Sequence, residues 1–158
     1  DAHTIRFTPG PCDLRRIIGD VCKRQQVLAP RHTLVTALDP LPDTITADAG
    51  LLDQMLTNLI GNAVKYSPDG GHISISGWSE DDAAVFTVTD TGVGIPATDL
   101  PRLFERFFRA RTSTGIAGTG IGLYIVKMLL DMHRGSITVD SSEGHGTTFT
   151  VRLPRAIG

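Results

Sequence analysis

The chain has 158 residues, 41% of them hydrophobic, which is most simply one globular domain with a buried core. Fifteen basic against seventeen acidic residues leave a net charge of -2, with no long run of either sign, which argues against a general polyanion binder and against nucleic acid as a partner. Two cysteines, Cys12 and Cys22, form neither a disulfide framework nor a zinc motif and read as reduced thiols of a cytosolic protein. No apolar run approaches the roughly 20 residues of a membrane span, and no signal-peptide pattern is present. The chain begins at Asp1 without a methionine, so it is expected to be part of something longer.

In chain order, Ile5 and Phe7 alternate with polar residues up to Pro9-Gly10-Pro11, which predicts an edge strand closed by a turn. Asp13 reads as an N-cap, and Leu14, Ile17, Ile18, Val21 and Leu28 make a helical stripe ending before Pro30. Strands are expected over 33–38 and 44–47, and Asp48 is a second N-cap. From Leu51 to Tyr66 a helix is predicted, with Leu52, Met55, Leu56, Leu59, Ile60 and Ala63 three and four apart. Ser67-Pro68-Asp69-Gly70-Gly71 stops it. Two alternating runs, 72–78 and 84–90, form an antiparallel hairpin around a polar tip. Residues 91–119 keep no period, which is long for a plain connection. A helix over about 120–132 and strands over 136–140 and 147–153 complete the chain.

Three helices and six or seven mostly antiparallel strands predict an α+β fold, a two-layer α/β sandwich with helices on one face of a mixed sheet. Alternation puts Thr147 on the buried face with Phe149, Val151 and Leu153, and Asp90 on a face with Val88 and Phe86.

Four sets of residues carry chemistry. Asn58, Asn62 and Lys65 lie within roughly 60° on the central helix, beside its apolar stripe. Two carboxamides and an ammonium in one row suit a phosphate and its metal ion, although a solvated polar face has the same spacing. Asp90-Thr91-Gly92-Val93-Gly94 places a carboxylate at a strand end, able to accept from an exocyclic amine, with glycines that admit a flat ring; it also fits a common turn. Gly118-Thr119-Gly120-Ile121-Gly122-Leu123 runs glycine-rich backbone into a helix N-terminus, a seat for phosphates or a flexible hinge. It fails the dinucleotide-binding GxGxxG pattern, with Leu123 at the third glycine, and the chain contains no Gly-Lys-Ser/Thr. Arg106 and Arg109 in the long connection, with Lys65, can neutralise phosphoryl charge, or can simply be solvated.

Taken in order, N-x-x-x-N, D-x-G-x-G, F-E-R-F-F-R, G-T-G-I-G-L and G-x-G-T-x-F closely resemble the catalytic, ATP-binding domain of sensor histidine kinases, in the superfamily that includes DNA gyrase and the Hsp90 chaperones. The resemblance runs from Asp13 to Pro154, and five boxes in order are specific. It implies one domain over 1–158, with cofactors ATP and Mg2+. Asn62 would hold the Mg2+ with Asn58 assisting, Lys65 would contact phosphate, and Tyr66 would frame the nucleotide. Asp90 would bind the adenine amine, partly through water shared with Thr147, while Gly92, Gly94 and Ile95 pass along the base. Residues 104–109 match the F box, and about 95–118 would be a lid, expected to be mobile without nucleotide. Gly118, Thr119, Gly120, Ile121, Gly122 and Leu123 would wrap the phosphates, and Asn58, Lys65, Arg106 and Arg109 would serve transfer.

The same resemblance implies transfer to a histidine in two-component signalling. None of His3, His32, His72, His133 and His145 has the family's acceptor context, and all five read as surface or turn residues. The acceptor is therefore expected on an upstream dimerisation domain, with a response regulator as the further partner. The chain alone is expected to be monomeric, unable to phosphorylate itself and cytoplasmic, and its parent a homodimer. The alternatives are a superfamily ATP hydrolase and an anti-sigma-factor-type serine kinase. Hydrolases of the superfamily carry glutamate where this chain has Asn58, and a carboxamide cannot take a proton from water.

Overall fold

The structure, a computed structural model, describes residues 5–110 and 122–156. The elements in order are β1 (Gly10–Cys12), α1 (Leu14–Leu28), β2 (His32–Ala37), β3 (Ile45–Ala47), α2 (Ala49–Lys65), β4 (Gly71–Glu80), β5 (Ala83–Asp90), a 3-10 turn (Leu100–Arg102), α3 (Gly122–Met132), β6 (Ser136–Ser141) and β7 (Thr147–Pro154). The five-stranded sheet has the order β2-β4-β5-β7-β6. Only β2 runs parallel to its neighbour, β4; the other pairs are antiparallel. The three helices cover one face, with α2 packed between α1 and α3. This is the α+β, two-layer arrangement expected from periodicity.

The core lies between the layers. β7 alternates strictly, burying Thr147, Phe149, Val151 and Leu153 toward the helices. Opposite them in register stand Asp90, Val88, Phe86 and Ala84 of β5. From α2 the buried side chains are Leu52, Met55, Leu56, Leu59, Ile60 and Ala63, all those predicted. Each large side chain among them contributes about 1.5–3 kcal/mol by leaving water. Both N-caps form as read: Asp13 Oδ1 accepts from the Arg16 N–H at 3.2 Å, and Asp48 Oδ1 from Leu51 at 3.1 Å.

Three expectations are corrected. The first strand is Gly10–Cys12, where a turn was expected, and residues 5–9 have no regular structure. Pro11 is tolerated because β1 pairs only with β3, in a separate two-stranded sheet, so no ladder bond is lost on its open side. Leu28 is 76% exposed: its stripe continues geometrically, but the last turn of α1 overhangs the core. His32 and His133 are buried; backbone groups engage both ring nitrogens of His133 and Nε2 of His32, while His32 Nδ1 has no partner among the described residues. His32 Nε2 donates to the Ser67 carbonyl at 2.6 Å. His133 is 1% exposed, and its Nδ1 donates to the Leu129 carbonyl at 2.8 Å. His72 and His145 are exposed, as read; His3 lies outside the described residues.

Candidate functional site

α2 forms the floor of the site. Its 3.6-residue period turns Leu59, Ile60 and Ala63 into the core and leaves Asn58 and Asn62 half-buried at the edge of that stripe, with Lys65 exposed. Together with Tyr66 these residues line a cavity of about 410 Å3 between α1, α2 and the start of α3. The side chains of Asn58 and Asn62 make no hydrogen bond among the described residues, and both line the cavity. Arg109 lines the same cavity, as do Gly122 and Leu123, the first described residues of α3. Gly118, Thr119, Gly120 and Ile121 lie outside the described residues, as do the start of the expected helix and the expected lid from 111 onward.

A second part of the site is built where β5 ends. Asp90 is 4% exposed and stands directly across from Thr147 of β7. Burial pushes its carboxyl up to about 6, although the N–H groups of Gly92 and Thr147 favour the ionised form. Asp90 Oδ1 accepts from the Gly92 N–H at 2.9 Å, so the carboxylate itself shapes the turn. Gly92 has no room for a side chain: a Cβ would stand 1.7 Å from the Tyr66 carbonyl oxygen. That carbonyl accepts from the Val93 N–H at 2.9 Å, which ties the turn to the end of α2. Gly94 has φ +71, and a Cβ there would meet the Ser142 carbonyl at 2.0 Å.

Asp90, Gly92, Gly94, Ile95 and Thr147 do not border the cavity beneath α1; they adjoin it through Tyr66. Ile95 is buried, and its N–H donates to Ser141 Oγ at 2.9 Å. Ser141 Oγ donates in turn to the Gly146 carbonyl at 2.7 Å and stands 2.8 Å from Thr147 Oγ1. Ser141 was missed from the sequence. Only the β6–β7 register, which sets it opposite Thr147, reveals it.

The aromatic segment divides its labour. Phe104 packs edge-on against Phe149, with ring centroids 6.2 Å apart, and anchors the segment to the sheet. Phe108 is half-buried and lines the cavity, with the Arg102 guanidinium 4.7 Å above its ring. Phe107 is 59% exposed. Arg106 does not line the cavity; its guanidinium lies 4.9 Å from the Phe107 ring and 5.9 Å from that of Tyr124. Of the two arginines, only Arg109 is brought to Asn58, Asn62 and Lys65. Gln25 and Leu28 of α1, which the sequence did not single out for the site, line the cavity too.

Among the described residues, no group of three or more His, Cys, Asp or Glu side chains could hold a metal. A metal caged by protein alone is therefore unsupported there. Two carboxamide oxygens fit a hard cation that takes its remaining ligands from phosphate and water.

The family described as "Histidine kinase-, DNA gyrase B-, and HSP90-like ATPase" matches residues 47–157. The chain belongs to this family. It is 37% identical to the sensor histidine kinase WalK of Bacillus subtilis, over 98% of this chain and 26% of that protein. It is 40% identical to the circadian input-output histidine kinase CikA of Thermosynechococcus vestitus, over 90% of this chain and 19% of that one. The chain thus spans about a fifth to a quarter of the length of these curated relatives. Among solved structures, the mycobacterial sensor histidine kinase MprB superposes with a TM-score of 0.83 at 28% identity, covering 96% of this chain and 100% of that one. Full-length ShkA in complex with AMPPNP superposes with a TM-score of 0.80 at 32% identity, covering 98% and 32%. The resemblance to the ATP-binding domain of sensor histidine kinases holds along nearly the whole chain.

Proposed function

We propose that this chain, a single domain over 1–158, binds ATP with Mg2+ and presents the γ-phosphate to a histidine on a separate dimerisation domain, in two-component signalling. One observation carries this above the others: the carboxamides of Asn58 and Asn62, which have no partner among the described residues, share a cavity with Lys65 and Arg109, next to the Asp90–Gly94 turn. Adenine's amine would donate to Asp90, with Gly92, Gly94 and Ile95 along the ring and Thr147 sharing a water. Tyr66 would sit between base and phosphates. Asn58 and Asn62 would hold Mg2+, which when bound supplies charge neutralisation and orients the phosphate oxygens.

In the transfer itself, a histidine nitrogen attacks Pγ in line as the bond from Pγ to the β,γ-bridging oxygen breaks, leaving ADP. Lys65 and Arg109 would offset the charge that develops on the phosphoryl oxygens, and Gly118–Leu123 would enclose the phosphates beneath a lid over about 95–118. Arg106 would need to leave its aromatic stack to take part. The partners would be the histidine-bearing domain, upstream in the same protein, and a response regulator, with a homodimeric parent and a cytoplasmic setting. Among the described residues no helix is long and apolar enough to cross a membrane. Hydrolysis is the weaker reading, because Asn58 cannot act as a base toward water.

Calorimetric titration tests this. ATP should bind only weakly without Mg2+, GTP should bind more weakly than ATP, and Asn62→Ala should remove the Mg2+-dependent affinity while the circular dichroism spectrum stays unchanged. An Asn62→Ala protein with wild-type affinity would refute the metal role.

A further inference from the structure

Leu14, Ile18 and Val21 of α1 are fully buried, and at about 100° per residue the same line of the helix continues through Gln25 to Leu28. The line is apolar except at Gln25. That side chain is half-buried on the cavity wall, yet its amide makes no hydrogen bond among the described residues. The amide is thus a polar group on the cavity wall, with its donors and acceptor open to whatever occupies the cavity.

The surface opposite Gln25 is equally unusual. Gly61 lies in the interior of α2 between Asn58 and Asn62 and lines the cavity with them. Among the described residues, a Cβ built on it would meet only the Gln25 amide, Nε2 at 3.7 Å and Oε1 at 3.9 Å. Those are ordinary contact distances, so the protein's own packing does not require glycine at 61, although glycine is among the weakest helix-interior residues. The missing side chain leaves open floor between α1 and α2, and the Gln25 amide stands over it.

We infer that Gln25 is a further nucleotide-binding residue, its Nε2 donating to a non-bridging oxygen of the terminal phosphates from across Gly61. The phosphate end is favoured over the base end because Lys65 and Arg109 border this cavity whereas Asp90 and Gly92 do not. An amide donates to phosphate there without adding a charge that would have to be desolvated in the empty site. The inference rests on reading this cavity as the phosphate end of an ATP site.

Titrating the wild-type chain, Gln25→Met and Gln25→Glu with Mg2+-ATP and with adenosine tests it, with a thermal melt of each protein. Gln25→Met keeps the length and loses the amide; ATP affinity should fall about tenfold, the loss of one hydrogen bond to a charged group. Gln25→Glu should lose more, through repulsion of the phosphates. Adenosine binding and the melting temperature should hold in both. If both variants bind Mg2+-ATP as wild type does while Asn62→Ala does not, Gln25 is no ligand and the ATP site stands. Equal losses for ATP and adenosine overturn the phosphate assignment. A wild-type chain that fails to bind Mg2+-ATP overturns both readings together.

Discussion

His133 Nε2 accepts a hydrogen bond of 3.1 Å from the backbone N–H of Asp48, a residue 85 positions earlier in the chain. An amide N–H can only donate, so the ring proton sits on Nδ1, where it reaches the Leu129 carbonyl. Asp48 caps α2, and His133 follows the last residue of α3, so this one ring joins the ends of two helices that line the site. Thr8 N donates to Asp48 Oδ2 at 2.7 Å and Phe7 packs edge-on against the imidazole, centroids 5.0 Å apart, which brings the N-terminal segment to the same point. Burial works to raise the Asp48 carboxyl, but the N–H groups of Thr8, Leu51 and Gly50 outweigh it and hold the group below its ordinary range.

His133→Ala should therefore lower the unfolding free energy by about 2–4 kcal/mol, from the lost volume and the orphaned Asp48 N–H. The urea midpoint should fall with an unchanged slope. A shift under about 0.5 kcal/mol, the range of ordinary surface changes, would show that the joint is not structural.

Asp90 is predicted to cost the ligand-free fold stability. Its folded value of about 6 lies above the ordinary 3.8, so between those values the folded state holds more protons than the unfolded one. The stability associated with the protonated form is complete below about pH 4 and is lost as pH rises through about 6. At about 1.4 kcal/mol per pH unit the loss reaches at most about 3 kcal/mol. Asp90→Asn keeps an acceptor for the Gly92 N–H, so at pH 7.5 it should melt higher than wild type and flatten the profile between pH 4 and 6. The same variant should bind ATP at least tenfold more weakly, the loss expected for a charge-assisted hydrogen bond. A variant that melts lower at pH 7.5 would contradict the burial cost.

Gly92→Ala should destabilise the turn and abolish nucleotide binding together, because the added methyl would overlap the Tyr66 carbonyl, and backbone at both sides leaves little room to relax. We expect a loss of about 3 kcal/mol or more, in the range of severe overpacking. Gly144 offers the control: nothing lies within 4 Å of a Cβ there, but φ is +82, so alanine should cost only about 1 kcal/mol of backbone strain. Equal effects at the two positions would refute the steric account.

Steady-state phosphate release from ATP by this chain should be slow, no more than about one turnover per minute, against a typical enzymatic rate on the order of 10 per second. A coupled phosphate assay measures it directly. Turnover near the typical rate would return the hydrolase reading to first place.

The sequence alone determined the helices, the hairpin, the sheet faces and the positions of the boxes. Those features are written in local periodicity and capping: Asp13, Asp48 and the apolar spacing of α2 specify structure within a few residues of themselves. Asp90 and Thr147 could be placed on buried faces for the same reason. The tertiary structure decided what depends on partners far along the chain. It brought Arg109 to the asparagines and set Arg106 on an aromatic stack, which two arginines three residues apart cannot reveal. It buried His133 because a backbone N–H 85 residues away waits for its ring, and it stood Ser141 opposite Thr147 through strand register. It also ran the apolar line of α1 past the edge of the core, so that Leu28 is exposed and Gln25 overhangs the asparagine helix. Where a helix stops being covered is set by the length of the neighbour it packs on, and no residue within the helix carries that information.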